Sequence, residues 1–273
     1  MLKASFYSDM KFRTIQKSDF TYSAEGLQLL TVKSPSLKGR GDVGVYVPEQ
    51  AKGLTGLPVY VLLHGVYGSH WSWSLQGGAH VVLQDLIDKQ EIAPAVLVMP
   101  SDGLWGDGSG YASHDGRDFE KWIGEEIPAL IRQEVAPVND QSSFFIGGLS
   151  MGGYGAFRIG LKYPETYSGI SGHSSMTSLD QMSLFVEEDW TEKLKNIPDP
   201  SIHDCVGEHI PPIRFDCGTE DELISYNREL HAAFREKGVD HIYEEFPGSH
   251  SWEYWHEHVR ATYQFFDRIA SNG

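Results

Sequence analysis

The sequence predicts an α/β fold in which a mostly parallel sheet is flanked by helices. Short apolar or β-branched runs of strand length alternate with longer amphipathic runs along most of the chain, which is typical of strands joined by crossover helices. The length of 273 residues, with 40% hydrophobic residues, is enough for one large core and short for two. We therefore expect a single domain over 1–273.

The first half of the chain alternates between strands and helices. Strands are predicted where β-branched and apolar residues form short runs: DVGVYVP (42–48), LPVYVLLHG (57–65) and PAVLVMP (94–100). Helices are predicted where apolar residues recur every three or four positions: GAHVVLQDLIDKQ (78–90) and RDFEKWIGEEIPALIRQEV (117–135).

The same alternation repeats after Pro137. The predicted strands are SSFFIGG (142–148), YSGISGHS (167–174), PPIRFDCG (211–218) and HIYEEF (241–246). The predicted helices are GGYGAFRIGLKYP (152–164), which Pro164 ends, DELISYNRELHAAFREKG (221–238) and WEYWHEHVRATYQFFDRIA (252–270).

One segment interrupts this alternation. Residues 174–211 contain helical pieces but no predicted strand. We interpret them as a small insertion over the C-terminal edge of the sheet. Two interpretations stay open, a packing excursion and a cap that shapes a substrate pocket.

The charge balance limits the classes of partner. A formal net charge of -16 at pH 7 repels phosphate backbones and anionic lipid surfaces, so we expect neither nucleic acid nor a membrane as a partner. The expected ligand is neutral or weakly charged. No apolar stretch is long enough to span a bilayer, and the sequence leaves the oligomeric state open.

The N-terminal segment and the cysteines bear on the compartment. The first residues, MLKASFYSDMKFRTIQ, have no continuous apolar region of the kind found in signal peptides. The chain has two cysteines, Cys205 and Cys217, which excludes a disulfide framework and favours two reduced thiols. We expect a cytoplasmic protein, with export and one disulfide as the alternative for a trimmed chain.

The segment FFIGGLSMGGYGAF places a serine between a predicted strand and a predicted helix. Gly148-Leu149-Ser150-Met151-Gly152 fits the pattern GxSxG, in which a sharp strand-to-helix turn exposes a nucleophilic serine at the C-terminal edge of the sheet. Small flanking residues are needed because neighbouring backbone passes close to the turn. The alternative is a glycine-rich helix start with an incidental serine. We predict that Ser150 is a nucleophile.

A serine nucleophile needs a histidine base and a carboxylate that orients the base. His250 follows the last predicted strand, and the segment after PPIRFDCG offers the acids Asp216, Glu220, Asp221 and Glu222. Ligands and catalytic groups gather at the C-terminal ends of strands in open α/β sheets. We assign His250 as the base and Asp221 as the acid, and Asp216, at the end of its strand, stays as the alternative.

Metal sites are not expected. His256 and His258 lie two residues apart in a predicted helix and lack the HExxH spacing of zinc proteases. The acidic residues Asp107 and Asp115 do not have the spacing of a calcium loop. The predicted chemistry needs no cofactor.

The oxyanion of an acyl-transfer reaction needs two hydrogen-bond donors. The amide of Met151, at the start of the helix after Ser150, is the first. The loop of VLLHGVYGSHWSW supplies the second, and we assign it to the amide of Val66, since Gly65 allows the backbone to turn toward Ser150. His64 is expected to orient this loop by hydrogen bonding.

Several of these segments resemble the putative-esterase family of α/β-hydrolases, which includes esterase D (S-formylglutathione hydrolase), tributyrin esterases, feruloyl and acetylxylan esterases, and mycolyltransferases. The resemblance covers most of the chain and rests on VKSPSLKGRGDVGVYVPEQ, LPVYVLLHGVYGSHWSW, GLSMGGYGAFRIGLKYPETYSGISGHS, CGTEDELISYNREL and FPGSHSWEYW. It implies an α/β-hydrolase fold. It also implies the same roles for Ser150, Asp221, His250, Val66 and Met151.

The resemblance also bears on substrate. The run GDGSG departs from the corresponding pattern of the glutathione-thioester hydrolases, and the chain is more similar to short-chain and carbohydrate-ester members. Four aromatic residues are candidates to line the mouth of the pocket against sugar rings or a phenolic acyl group: Trp71, Trp73, Trp105 and Tyr111. The alternative for each is a place in the core.

The expected function is therefore a serine carboxylesterase acting on short-chain acyl esters of small molecules or oligosaccharides, including acetyl or feruloyl esters of carbohydrates. Three other enzymatic functions stay open on the same scaffold: a thioesterase that resembles S-formylglutathione hydrolase, a peptidase and an acyltransferase. A non-catalytic carbohydrate-binding protein and a structural role are further alternatives.

Overall fold

A computed structural model of the chain describes residues 12, 14–23 and 26–272. Its main sheet contains nine strands in the order β1-β2-β3-β5-β4-β8-β9-β10-β11. Their bounds are β1 Ile15–Lys17, β2 Leu27–Ser34, β3 Gly39–Tyr46, β4 Val59–Leu63, β5 Val96–Pro100, β8 Phe144–Leu149, β9 Tyr167–His173, β10 Ile213–Gly218 and β11 Ile242–Phe246. Two further strands, β6 Ser113–His114 and β7 Arg117–Asp118, form a separate hairpin.

The sheet is mostly parallel, as predicted. Strands β5, β4, β8, β9, β10 and β11 run parallel to one another, and β1, β2 and β3 add antiparallel pairs at one edge. The sequence predicted β3 and the six parallel strands but neither β1 nor β2. This topology is the α/β-hydrolase fold.

Helices cover both faces of the sheet. They are α1 Ala79–Asp88, α2 Phe119–Lys121, α3 Ile127–Glu134, α4 Met151–Lys162, α5 Thr191–Leu194, α6 Ile224–Glu236 and α7 Trp252–Asn272. Apolar residues of α1 and α7 pack on one face, while those of α2, α3, α4 and α6 pack on the other. None of the helices in the described ranges is long and apolar enough to cross a membrane.

The alternation of side chains along β4 explains this two-sided core. Val59, Val61 and Leu63 point into the cluster with α3 and α4, whereas Tyr60 and Leu62 point into the cluster with α7. A central parallel strand that is buried on both faces has a nearly continuous apolar sequence. This is why the run LPVYVLLHG predicts a strand.

The predicted helix over 117–135 is interrupted by a wider turn. Residues Trp122–Glu126 form a π-helical turn between α2 and α3. Pro128 lies at the start of α3. Proline has no N–H to donate, and its ring crowds the carbonyl four residues before it, which is that of Gly124. The hydrogen-bond ladder therefore widens at this point while the helix continues.

The segment 174–211 contains little regular structure. It comprises the 3₁₀ turns Leu179–Leu184 and Ile202–Cys205, the short α5, and one isolated β-bridge between Ser178 and Ser201. Leu179, Met182, Trp190, Ile197 and Ile202 are buried, so the segment packs against the main core. Cys205 and Cys217 are separate buried thiols.

Candidate active site

The order of the strands creates a crevice at the C-terminal edge of the sheet. The connection after β4 leads to β5 on one side of it, whereas the connection after β8 leads to β9 on the opposite side, so the two connections diverge. This is the switch point at which open α/β sheets bind ligands. His64-Gly65-Val66 follows β4 and Ser150 follows β8, and the two strands are paired through Leu63 and Gly148.

Ser150 occupies the sharp turn between β8 and α4. Its backbone has φ 54° and ψ -122°, a strained conformation that a non-glycine residue adopts rarely. Three backbone hydrogen bonds hold the turn: the Ser150 amide donates to the His173 carbonyl, and the Ser150 carbonyl accepts from the Tyr154 and Met176 amides. The turn is thus fixed by β9 as well as by its own helix.

Two glycines provide the clearance that this turn needs. A Cβ added to Gly148 would collide with the carbonyl of Gly152, and one added to Gly152 would collide with the carbonyls of Leu63 and His64. These obstacles are backbone atoms, which cannot rotate away. The glycines of GLSMG therefore allow α4 to approach β4 closely enough to place Ser150 in the crevice.

The structure brings Ser150, His250 and Asp221 together in one hydrogen-bonded chain. His250 Nε2 lies 3.0 Å from Ser150 Oγ, and His250 Nδ1 lies 2.9 Å from Asp221 Oδ2 and 3.1 Å from Asp221 Oδ1. Asp221 cannot donate when ionised, so Nδ1–H donates to the carboxylate and Nε2 accepts from the serine hydroxyl. This is the tautomer that a general base for Ser150 requires.

Asp221 is held in its ionised form. Burial by itself would raise its pKa, but the hydrogen bond and charge of His250 and the amide of Leu223 together lower the pKa below its ordinary value. The Asp221 side chain is fully buried, whereas that of His250 is 18% exposed. A buried anion thus orients a base that substrate and water can reach.

Asp216, the alternative acid, belongs to a different group of residues. Its carboxylate contacts His173 and Arg214 and accepts from the hydroxyl of Tyr254. His173 Nε2 in turn contacts Thr262 Oγ1 at 2.8 Å. These side chains are buried, and among the described residues the carboxylate of Asp216 is bonded to His173, Arg214 and Tyr254 rather than to His250.

The two amides assigned to the oxyanion flank Ser150. A Cβ on Gly65 would lie 3.4 Å from Ser150 Cβ and 3.8 Å from its Oγ, so the turn containing Val66 passes directly beside the nucleophile. Met151 is the first residue of α4, where amides have no intrahelical acceptor. Within the described ranges, neither the Val66 amide nor the Met151 amide donates to a backbone carbonyl.

His64 has the orienting geometry that the sequence predicted. It is buried, its Nδ1 donates to the carbonyl of Gly65 at 2.7 Å, and its Nε2 accepts from the amide of Asp102 at 3.0 Å. Both ring nitrogens are occupied by backbone groups. His64 therefore fixes the turn before Val66 and has no nitrogen left to act as a base.

Two of the four aromatic candidates lie in the core. Trp73 is 1% exposed and donates from Nε1 to the carbonyl of Leu63, and Tyr111 is fully buried and donates from its hydroxyl to the carbonyl of His64. The structure favours the core alternative for both. Their hydrogen bonds support the end of β4 and the turn that follows it.

The other two aromatic candidates lie at the surface. Trp71 is 43% exposed and Trp105 is 37% exposed. The guanidinium of Arg117 lies 3.6 Å from the centre of the Trp105 ring, and Trp105 Nε1 donates to Asp115. One face of Trp105 is therefore covered by Arg117, while Trp71 keeps an exposed ring.

The structure also reveals aromatic neighbours of His250 that the sequence did not indicate. Phe185, from the segment 174–211, stacks on the imidazole with ring centroids 5.1 Å apart, and Trp255 meets it edge to face at 4.9 Å. Trp255 lies in the first turn of α7, five positions after His250, so its spacing in the sequence could have indicated this contact. Phe185 is 65 positions away and lies in a segment without periodicity, so no sequence signal connects it to His250.

Comparison with known proteins identifies the family of this chain. The family model described as "Putative esterase" matches residues 34–266. An acetyl esterase of Caldicellulosiruptor saccharolyticus is 29% identical over 89% of this chain and 92% of its own length. Among solved structures, a ferulic acid esterase superposes with a TM-score of 0.76 at 23% identity, covering 94% of this chain and 97% of its own.

An S-formylglutathione hydrolase from Agrobacterium tumefaciens superposes with a TM-score of 0.73 at 21% identity, covering 95% of this chain and 99% of its own. At these identities the structural matches establish the fold, and the family match covers more than four fifths of the chain. The resemblance seen in the sequence is confirmed: this chain belongs to the putative esterase family and is a carboxylic ester hydrolase.

Proposed function

We propose that the protein hydrolyses short-chain acyl esters by a two-step serine mechanism in which Ser150 is the nucleophile, His250 the base and Asp221 the orienting acid. The observation that carries this proposal is the continuous chain from Ser150 Oγ through the His250 ring to the Asp221 carboxylate. The strained backbone of Ser150 at the strand-to-helix turn supports it independently.

In the first step, Ser150 Oγ attacks the ester carbonyl carbon while His250 Nε2 takes the hydroxyl proton. The resulting oxyanion accepts hydrogen bonds from the amides of Val66 and Met151. When the tetrahedral intermediate collapses, the bond to the alcohol breaks and His250 returns its proton to the departing oxygen. Asp221 stabilises the imidazolium throughout and keeps its own charge.

In the second step, water attacks the acyl-serine carbonyl while His250 takes a proton from the water. Collapse of the second tetrahedral intermediate breaks the bond to Ser150 Oγ, and His250 returns the proton to the serine. The products are a carboxylic acid and the regenerated enzyme. Every proton transfer uses His250 Nε2, whose distance of 3.0 Å from Ser150 Oγ suits direct transfer.

The proposed substrates are acetyl or feruloyl esters of carbohydrates. The acetyl esterase relative, which aligns over nearly the whole of both chains, supports a short acyl group. The exposed ring of Trp71 remains a candidate sugar contact, and Trp105 is a weaker one because Arg117 covers one of its faces. The net charge of -16 favours neutral carbohydrate esters over anionic thioesters.

The test is kcat/KM for p-nitrophenyl acetate, p-nitrophenyl octanoate, methyl ferulate, acetylated xylan oligomers and S-formylglutathione. We expect the acetyl and feruloyl esters to give the highest values. Ser150→Ala and His250→Ala should each lower kcat by several orders of magnitude, to a residual rate about 10³- to 10⁴-fold above the reaction in water.

Matched controls remove the same side chains elsewhere. Ser183→Ala removes an exposed serine whose hydroxyl donates to the Asp180 carbonyl, and His209→Ala removes an exposed histidine. Both should keep the wild-type kcat. Near-wild-type activity of Ser150→Ala would exclude the proposed nucleophile, and a preference for S-formylglutathione would replace the carbohydrate-ester assignment with a thioesterase.

A further inference from the structure

The loop Asp102–Ser109, which follows β5, holds the turn His64–Tyr67 at both ends. The amide of Asp102 donates to His64 Nε2 at 3.0 Å, and the amide of Tyr67 donates to the carbonyl of Asp107 at 3.0 Å. The Asp102 carboxylate closes the loop on itself by accepting from the Ser109 amide at 2.8 Å. The turn containing Val66 is therefore attached to this loop on both sides.

The same loop contacts Met151, whose amide is the other oxyanion donor. A Cβ on Gly108 would lie 2.7 Å from Met151 Sδ, so the loop packs closely against this side chain. The loop therefore contacts the turn that contains Val66 through Asp107 and the side chain of Met151 through Gly108.

The carboxylate of Asp107 reaches into the segment 174–211. Its Oδ2 accepts from the amides of Glu187 and Glu188 at 3.1 and 2.9 Å. The hydroxyl of Tyr67 accepts from the Glu187 amide at 3.2 Å. We call the turn His64–Tyr67, which contains the Val66 amide, the oxyanion turn. Asp107 and Tyr67 therefore join this turn to the short stretch Phe185–Glu188 of the segment 174–211.

Two features show that this junction is closely fitted. Tyr67 has a φ of 55°, in the left-handed region that costs a non-glycine residue energy, although its side chain is 62% exposed. Burial of the ring does not hold this conformation. Hydrogen bonds hold it instead: the Gly68 amide donates to the Gly65 carbonyl across the turn, and Tyr67 itself bonds to Asp107 and Glu187. Gly106 has a φ of 62°, and a Cβ there would collide with the carboxylate of Glu188.

The stretch joined by Asp107 also covers the catalytic base. Phe185 stacks on the ring of His250, and Glu187 follows two residues later. A second connection runs in parallel, because Lys193 pairs with Glu188 at 2.6 Å and lies 3.8 Å from Asp115. The position of Phe185 over His250 is thus tied to the same loop that holds the oxyanion turn.

We propose that Asp107 is a positioning residue that sets the oxyanion turn and the segment over His250 relative to each other. Its main-chain carbonyl fixes Tyr67, and hence the Val66 amide, while its carboxylate fixes Phe185–Glu188. This inference rests on the proposed serine mechanism and adds a residue that does not touch the reacting atoms. Loss of the carboxylate releases Phe185–Glu188, and with it Phe185 over His250, from the loop whose Asp107 carbonyl still holds Tyr67. We expect this release to let the oxyanion turn and the cover of His250 shift relative to each other, which should lower kcat more than it raises KM.

The test compares Asp107→Ala, Asp107→Asn and the control Asp180→Ala, which removes an exposed aspartate from the segment 174–211. Rates with p-nitrophenyl acetate are divided by the concentration of active sites titrated with a fluorophosphonate. We expect Asp107→Ala to lower kcat about tenfold or more with KM within about twofold, less than the hundredfold or greater loss of a deleted oxyanion donor. Asp107→Asn keeps an acceptor oxygen and should restore most of the rate.

The affinity for a trifluoromethyl ketone reports the oxyanion site directly, because its serine adduct places an anionic oxygen there. Asp107→Ala should weaken inhibition by the same factor by which it lowers kcat. Wild-type kcat and wild-type inhibition in Asp107→Ala would overturn the proposal. So would equal losses in Asp107→Asn and Asp107→Ala, since the amide oxygen would then give no rescue.

A second variant covers the case in which Asp107→Ala does not fold. Tyr67→Gly relieves the left-handed strain, so the fold is not endangered, yet it removes the phenol and loosens the turn. Tyr67→Gly should lower kcat and weaken inhibition by the trifluoromethyl ketone by similar factors. Unchanged kcat and unchanged inhibition would overturn the proposal. Failure of the serine mechanism would look different, because Ser150→Ala would then match the wild type.

Discussion

At the scale of single residues, two buried aspartates five positions apart have different partners and therefore different expected roles. Asp221 faces the exposed side of the crevice through His250, whereas Asp216 pairs with Arg214 and His173 below it. Ionised carboxylates in both places are stabilised by neighbouring donors, so burial alone does not separate them. The two aspartates differ instead in the group that their hydrogen bonds lead to, which is Ser150 through His250 for Asp221 and Thr262 through His173 for Asp216.

This difference predicts opposite phenotypes for two like substitutions. Asp221→Asn keeps the shape but favours the wrong tautomer of His250, so kcat should fall by about 10⁴ while the free energy of unfolding changes little. Asp216→Asn leaves Arg214 without its buried partner and should lower the free energy of unfolding by about 3 kcal/mol or more. Its kcat per titrated active site should stay near the wild-type value.

The two aspartates are compared by urea unfolding and by kcat for p-nitrophenyl acetate on the same preparations. A large loss of kcat in folded Asp216→Asn, together with normal activity of Asp221→Asn, would reverse the assignment. The sequence predicted Asp221 from its place in the loop after β10, which is a local argument. The partners of Asp216 come from β9, β10 and α7 and were beyond local reasoning.

A local pattern was enough to predict that three polar side chains meet at the C-terminal edge of the sheet, and their catalytic roles stay predictions. Ser150, His250 and Asp221 each follow the end of a parallel strand, and the structure brings their side chains within hydrogen-bonding distance. Trp73 is buried although it lies near the crevice, because its indole N–H meets a backbone carbonyl. The contact of Asp107 with Glu187 joins positions 80 apart, and nothing in either local sequence marks it.

At the scale of elements, the contact between β4 and α4 decides whether the turn at Ser150 forms. Gly152 faces the carbonyls of Leu63 and His64 at the end of β4, with no space for a methyl group. Gly152→Ala must move α4 away from the strand, so we expect the free energy of unfolding to fall by about 1–3 kcal/mol or more. The activity of the folded fraction should fall as well, because Ser150 moves with α4.

The matched control for this substitution is Gly207→Ala. Gly207 is exposed, has no atom within 4 Å of the position of an added Cβ, and should tolerate alanine without loss. Urea unfolding and fluorophosphonate labelling rates measure both variants. A Gly152→Ala protein as stable and as fast to label as Gly207→Ala would contradict the close contact of the two elements.

The pattern of the sequence predicted the elements better than their arrangement. Periodicity and β-branched runs identified the six parallel strands, β3 and the long helices, because each depends on its own residues. The strand order and the antiparallel position of β3 depend on pairing between distant segments. The π-helical turn at Trp122–Glu126 was missed because helical periodicity continues through it.

At the scale of the whole molecule, carboxylates that the fold holds ionised make the free energy of unfolding sensitive to acid. The chain has 38 acidic and 22 basic residues, and several carboxylates are anchored in the fold. Burial opposes the ionisation of Asp216, but His173 and Arg214 outweigh it and hold its pKa well below the usual range. Lys162 and Arg158 likewise outweigh burial and lower the pKa of Asp199.

These depressed pKa values fix the direction of the pH dependence. The unfolded chain takes up protons near the ordinary carboxyl pKa of about 4, while the folded chain does so at lower pH, so acid favours the unfolded state. The stability that Asp216 contributes should be fully present above about pH 5 and lost progressively as the pH falls through its depressed pKa. The free energy of unfolding should therefore decrease steeply below about pH 4.

Urea unfolding at a series of pH values between about 3 and 7 measures this slope. Asp216→Asn should be less stable at neutral pH but lose less stability on acidification, because one depressed carboxylate is gone. Glu208→Gln, which changes an exposed acid outside these pairs, should follow the wild-type curve with its slope intact. Parallel curves for the wild type and Asp216→Asn would mean that the acid sensitivity arises from general charge repulsion rather than from the buried pairs, and the slope would then respond to salt instead of to this residue.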